Sequence, residues 1–177
     1  GVRSAALAWA TALALAPAAL AQAEPSFPAL TGRVVDQADL LTPASETALS
    51  ARLQSLERTT GRQLVVATLS DLQGYAIEDY GYRLGRAWGV GRAAQDDGVL
   101  FLVAPGERAV RIEVGYGLEP VLTDALSSFI LSERVLPLFR AGDMERGVIE
   151  GADALIELLS LPGDEASARA EAARGRL

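Results

Sequence analysis

Asp96 and Asp97 stand side by side in front of the apolar run GVLFLVAP. Two carboxylates about 4 Å apart repel by ~4 kcal/mol at an effective dielectric near 20, so something must offset the charge. One resolution is a turn, because Asp-Gly bonds its own backbone and glycine tolerates positive φ. The other is a divalent cation, since Ca²⁺ takes oxygen ligands at about 2.3–2.6 Å, with Mg²⁺ as the smaller alternative. Further acids fall within reach. Glu119 follows the Gly115-Tyr116-Gly117 turn, and Asp124 opens a helix after Thr123. The cluster can equally be neutralised by arginine or by helix N-terminal N–H groups, and both readings stay open on spacing alone.

The residues the chain lacks narrow the chemistry further. It has no His, Cys, Lys or Asn, and all 16 cationic side chains are Arg. Imidazole acid–base catalysis, thiol nucleophiles, Schiff-base or P-loop lysines and Cys/His zinc sites are excluded. Catalysis would have to run on carboxylates, hydroxyls, Arg and a hard metal ion; no catalytic residue is assigned. A net charge of −7 repels phosphate backbones and argues against nucleic acid as a partner.

The elements that must position these acids follow from periodicity. Thr42 as N-cap, Pro43 as first helical residue and a Leu49/Leu53/Leu56 stripe predict a helix ending at Gly61. QLVVATL reads as a strand covered on both faces. A second helix carries Ile77, Tyr80, Leu84 and Trp88 on one side, with Gly81 and Gly85 permitting close approach. GVLFLVAP is the next strand, so strand–helix–strand predicts a right-handed crossover and parallel pairing. The PGER turn then returns the chain in AVRIEVG. A four-residue loop between Ala104 and Ala109 pairs Val103 with Val110, Phe101 with Ile112 and Val99 with Val114. One step further, Asp97 faces Tyr116, so Asp96, Asp97 and Asp124 are expected on one edge of the sheet. DALSSFILSERVLPLF and DMERGVIEGADALIELLS complete the helices, the latter with a Val148/Ala152/Leu155/Leu159 stripe.

The segments FPALTGRVVDQADLLT and DDGVLFLVAPGERAVRIEVGYGLEPVLTDA together resemble the TPM domain family over residues 27 to 160. The resemblance implies an α/β fold, a three-layer α/β/α sandwich around a small mixed sheet in a single domain, in an extracytoplasmic setting. It implies divalent cation binding, Ca²⁺ foremost, and brings Asp36 of the Val-Val-Asp signature to the ligand set of Asp96, Asp97, Asp124 and Glu119. It also implies assembly or maintenance of membrane protein complexes as the function, with a weak metal-dependent acid phosphatase as the alternative.

Residues 1–21 read as a secretory signal peptide: Arg3, an apolar stretch from Ala5 to Ala16, then Ala19-Leu20-Ala21 and Ala21-Gln22-Ala23 as small-x-small cleavage patterns. Residues 22–29 form an extended lead-in, 30–160 the domain and 161–177 a flexible charged tail, with no membrane-spanning stretch after the leader. The protein is therefore expected to be exported, periplasmic or otherwise extracytoplasmic. N-terminal sequencing of the mature protein should begin at Gln22 or Glu24; an intact leader on protein recovered from the cytoplasm overturns export.

Overall fold

The structure, a computed structural model, describes residues 23–175. The expected leader and its processing sites up to Gln22 lie outside the described residues. In chain order the elements are β1 (Val34–Asp36), α1 (Pro43–Thr60), β2 (Gln63–Thr68), α2 (Ile77–Trp88), β3 (Gly98–Ala104) and β4 (Ala109–Val114). A 3-10 turn (Tyr116–Leu118) and α3 (Asp124–Ile130) follow, then a π-helical turn (Leu131–Val135), α4 (Leu136–Arg140), α5 (Met144–Ser160) and α6 (Gly163–Arg174).

The sheet runs β1-β2-β3-β4, with the first three strands parallel and β4 antiparallel. Alternate residues of β3 feed two separate cores. Val99, Phe101 and Val103 pack with Leu49, Leu53 and Leu56 of α1 and with Val148, Ala152, Leu155 and Leu159 of α5. Leu100, Leu102 and Ala104 pack with Ile77, Tyr80 and Leu84 of α2. The result is the expected three-layer α/β/α sandwich.

Local signals act as their chemistry dictates. The Thr42 hydroxyl accepts the Ser45 N–H at 3.3 Å, and Gly61 ends α1 at φ +76°. A Cβ at Gly81 would stand 2.6 Å from Leu102 Cδ1, so glycine lets α2 settle onto the sheet. The hairpin pairs Val103 with Val110, Phe101 with Ile112 and Val99 with Val114, as the sequence predicts.

The expected right-handed crossover from β2 through α2 to β3 is present; the connection from β1 through α1 to β2 steps the same way along the sheet with its helix on the opposite face, so it has the opposite hand. Two features depart from the sequence-based expectations. The helix expected over DALSSFILSERVLPLF widens into a π turn before Pro137, whose missing N–H cannot close the ladder there. Residues 161–177, expected as a flexible tail, instead contribute α6. Ala166 and Ala170 are buried in the larger core, because alanines four apart give a smooth strip that seats against α3.

Residues 23–29, in neither helix nor strand, strap α2. Ser26 and Gln73 exchange hydrogen bonds of 2.8 and 2.7 Å. Trp88 Nε1 donates to the Pro28 carbonyl at 2.9 Å, and the Phe27 ring meets Tyr80 edge-on at 5.3 Å. No helix among the described residues is long and apolar enough to cross a membrane.

If α6 belongs to the domain, Ala170→Glu, which puts a charge at a site 1% exposed, should detach it. A loss of about 2 kcal/mol is expected, read as a lower urea midpoint. An unchanged midpoint would return the segment to a flexible tail.

Candidate functional site

The chain crosses itself at the start of β3. Residues 89–97 run down from α2 into β3, and residues 115–119 leave β4 beside them. Gly115 N donates to the Gly98 carbonyl at 2.7 Å and Gly117 N to the Asp96 carbonyl at 3.0 Å. The approach is close enough to exclude side chains: a Cβ on Gly117 would lie 1.9 Å from the Gln95 carbonyl oxygen. Asp96 takes a left-handed φ of +47°, which aspartate tolerates better than most residues, and its Oδ2 accepts the Tyr116 N–H at 2.9 Å.

Beside this crossing lies a cleft of about 440 Å³. Tyr82 and Arg86 of α2 form one wall, Arg92 and Asp96 another, and Glu113, Tyr116 and Glu119 the third. Arg86 lies 5.6 Å from the centre of the Tyr82 ring, and Tyr116 projects into solvent, 77% exposed. Glu113 accepts from Arg111 Nε at 2.8 Å, the surface pair its spacing predicts. Glu119 is exposed and, among the described residues, carries no hydrogen bond or ion pair from its side chain.

The five expected ligands do not converge. Asp97 is 5% exposed and both its oxygens are occupied: Oδ1 accepts Arg92 N at 2.8 Å, and Oδ2 accepts Arg92 Nε at 2.7 Å together with Nη2. Burial pushes its carboxyl up, but the Arg92 side-chain bonds, backbone bond and charge outweigh that and hold it below the ordinary value of 3.8. The counter-charge offsetting the acid pair is therefore Arg92. Asp36 sits at the far end of the sheet, because parallel pairing sets it beside Thr68 and Val103 while Gly98 pairs with Gln63. Five residues of strand separate the ends by about 17 Å. There Asp36 shapes the turn into α1, accepting Leu40 N at 3.0 Å, Leu41 N at 2.8 Å and the Thr68 hydroxyl. Asp124 is exposed in the first turn of α3 and does not line the cleft. Among the described residues no group of three or more acids is placed to hold a metal ion. What remains on one cleft is a pair of carboxylates, Asp96 and Glu119.

Sequence reasoning did not find Arg86, Arg92 or Tyr82. Arg92 stands five residues before its partner, a spacing set by the loop and by neither helix nor strand period.

Arg92→Ala removes the guanidinium donors from the Asp97 carboxylate, leaving it the residue-92 backbone N–H, and should lower the urea midpoint at neutral pH. Because the folded-state pKa of Asp97 is depressed, the stabilisation is complete above about 3.8 and is lost as the pH falls through the lower folded value. Urea midpoints of wild type and variant should therefore converge toward acid; a constant gap across the titration would show that Asp97 does not carry the effect.

Comparison with known proteins agrees with this architecture. The TPM domain family matches residues 34–158. A solution structure of the N-terminal domain of a P. gingivalis protein is 36% identical, with a TM-score of 0.68, covering 73% of this chain and 82% of that one. The N-terminal domain of a Corynebacterium glutamicum protein is similar in fold at 19% identity and TM-score 0.57, over 76% of this chain and 82% of that one. So is the BA42 protein of Bizionia argentinensis, at 19% and 0.57, over 68% of this chain and 81% of that one. No curated protein matches. With the family matched over well more than half its length, the chain belongs to the TPM domain family.

Proposed function

We propose that the chain is an exported TPM binding module that assists the assembly or maintenance of membrane protein complexes, with the cleft beside β3 as its cation-responsive working surface. The observation that carries this reading is the pairing of two uncompensated carboxylates, Asp96 and Glu119, with a solvent-projecting Tyr116 on one cleft. A hydrated Ca²⁺ or Mg²⁺ offsets both charges while leaving the rim free for a partner. Tyrosine is a favoured anchor at protein interfaces, being amphipathic and costing little side-chain entropy.

A metal-assisted phosphomonoesterase is the second reading. Arg86 and Arg92 on the same cleft favour it, since guanidinium groups stabilise transferred phosphoryl charge. Against it, no Ser or Thr lines the cleft, and Arg92 is already committed to Asp97.

Sites with few charged ligands on extracellular modules hold Ca²⁺ with Kd of about 10⁻⁴–10⁻³ M. At about 10 mM calcium the folded state should gain ~1.5–2.5 kcal/mol, a rise in Tm of about 3–8 °C over chelated protein. Asp96→Asn and Glu119→Gln should each remove most of that rise, whereas Asp124→Asn and Asp36→Asn should keep it, Asp36→Asn from a lower starting Tm. Equal Tm in calcium and chelator sinks the cation reading. Turnover of a generic phosphomonoester that requires calcium and is lost in Glu119→Gln would favour the hydrolase.

A further inference from the structure

The largest of the clefts described lies away from this site, on the other face of the sheet near the β3–β4 turn. It has a volume of about 620 Å³ and is floored by Val103, Val110, Leu136, Phe139 and Met144. All but Val103 remain partly exposed. Two arginines, Arg108 and Arg140, stand at its rim. Both are exposed, and among the described residues neither guanidinium has a hydrogen-bond or ion-pair partner, whereas eight other arginines are paired with acids.

Two independent features lie at the same place. Arg108 holds φ at +51°, a conformation costly for a long side chain, although the turn contains a glycine at 106 that does not occupy the left-handed position. The acid in that turn does not explain it, since Glu107 accepts Leu72 N at 2.9 Å. Beside it, β4 is the edge of the sheet. Because Gly115 bonds Gly98 and the ladder alternates, Ala109, Arg111 and Glu113 direct their backbone groups to β3, whereas Val110 directs its N–H and C=O outward at the groove.

The geometry points to a docking site for the C-terminal end of a polypeptide. The peptide adds antiparallel to β4 at Val110, seats an apolar last side chain on Leu136, Phe139 and Met144, and presents its terminal carboxylate to Arg108 and Arg140. Strand addition supplies main-chain hydrogen bonds, and carboxylate capture sets the register. An acyl lipid fits the apolar floor and the arginines but leaves the Val110 groups unmet, so the peptide is the occupant. This proposal does not depend on the cation reading of the other cleft.

The test uses the full chain against synthetic decapeptides varied over their last four residues, each made with a free and an amidated C-terminus. Free-acid peptides ending in Leu, Val, Ile or Phe should bind with Kd below about 100 µM, and amidation should weaken them at least about tenfold. Arg140→Ala should weaken binding about fivefold or more. Arg108→Gly should do the same while melting no lower than wild type, because glycine relaxes the turn; this separates lost recognition from lost folding. Calcium or chelator should leave the affinity unchanged. Equal binding of amidated peptides, undiminished affinity in Arg108→Gly, or binding to phosphatidylglycerol vesicles and to no peptide would each overturn the proposal.

Discussion

Every residue of β3 from Gly98 to Ala104 is buried, and the rest of the molecule is arranged around that constraint. A strand hidden on both faces needs a helical layer above and below, and alternation along it divides the apolar residues between two cores. Its start is equally confined. Asp97, the last residue before the strand, is drawn under cover with it, and a carboxylate there must be neutralised within the loop that delivers it. Arg92 does so with both backbone and side chain. The acid pair at the mouth of the strand thus divides its labour: Asp97 faces inward to an ion pair, while Asp96 turns outward and fastens the neighbouring turn.

This division explains how far the sequence could be read. The helices, caps and hairpin register were legible because each rests on short-range chemistry: Thr42 before Pro43, glycine after α1, apolar alternation on both arms of the hairpin. The site was legible only where it depended on that hairpin, which correctly brought the Asp96 end of β3 to the turn at Tyr116. Asp36 could not be placed from spacing, because its position depends on which strand β1 pairs with and in which direction. The partner of Asp97 was hidden because Arg92 reaches it through an irregular loop. The tail misled for another reason: its alanines look too small to form a core, yet their smallness is what lets α6 lie flat on α3.

As a member of the TPM domain family with no histidine, cysteine or lysine, the protein presents carboxylates and guanidinium groups as its working chemistry. Among the described residues eight arginines are matched with acids. Two sets without an ion-pair partner lie in separate places: Asp96 and Glu119 beside one end of β3, Arg108 and Arg140 beside the other. Charges of opposite sign without ion-pair partners thus stand at opposite ends of one strand.

The backbone crossing at Gly117 carries a mechanical consequence. The Gln95 carbonyl packs against Gly117 too closely for any side chain, and hydrogen bonds on either side of that contact tie residues 96 and 98 to residues 115–117. The Asp96 and Tyr116 walls of the cleft cannot open independently, since separating them breaks the Asp96–Tyr116, Asp96–Gly117 and Gly98–Gly115 bonds together. Amide hydrogen exchange at Tyr116 and Gly117 is then governed by one shared opening event, and a ligand bridging the walls slows both amides by the same factor.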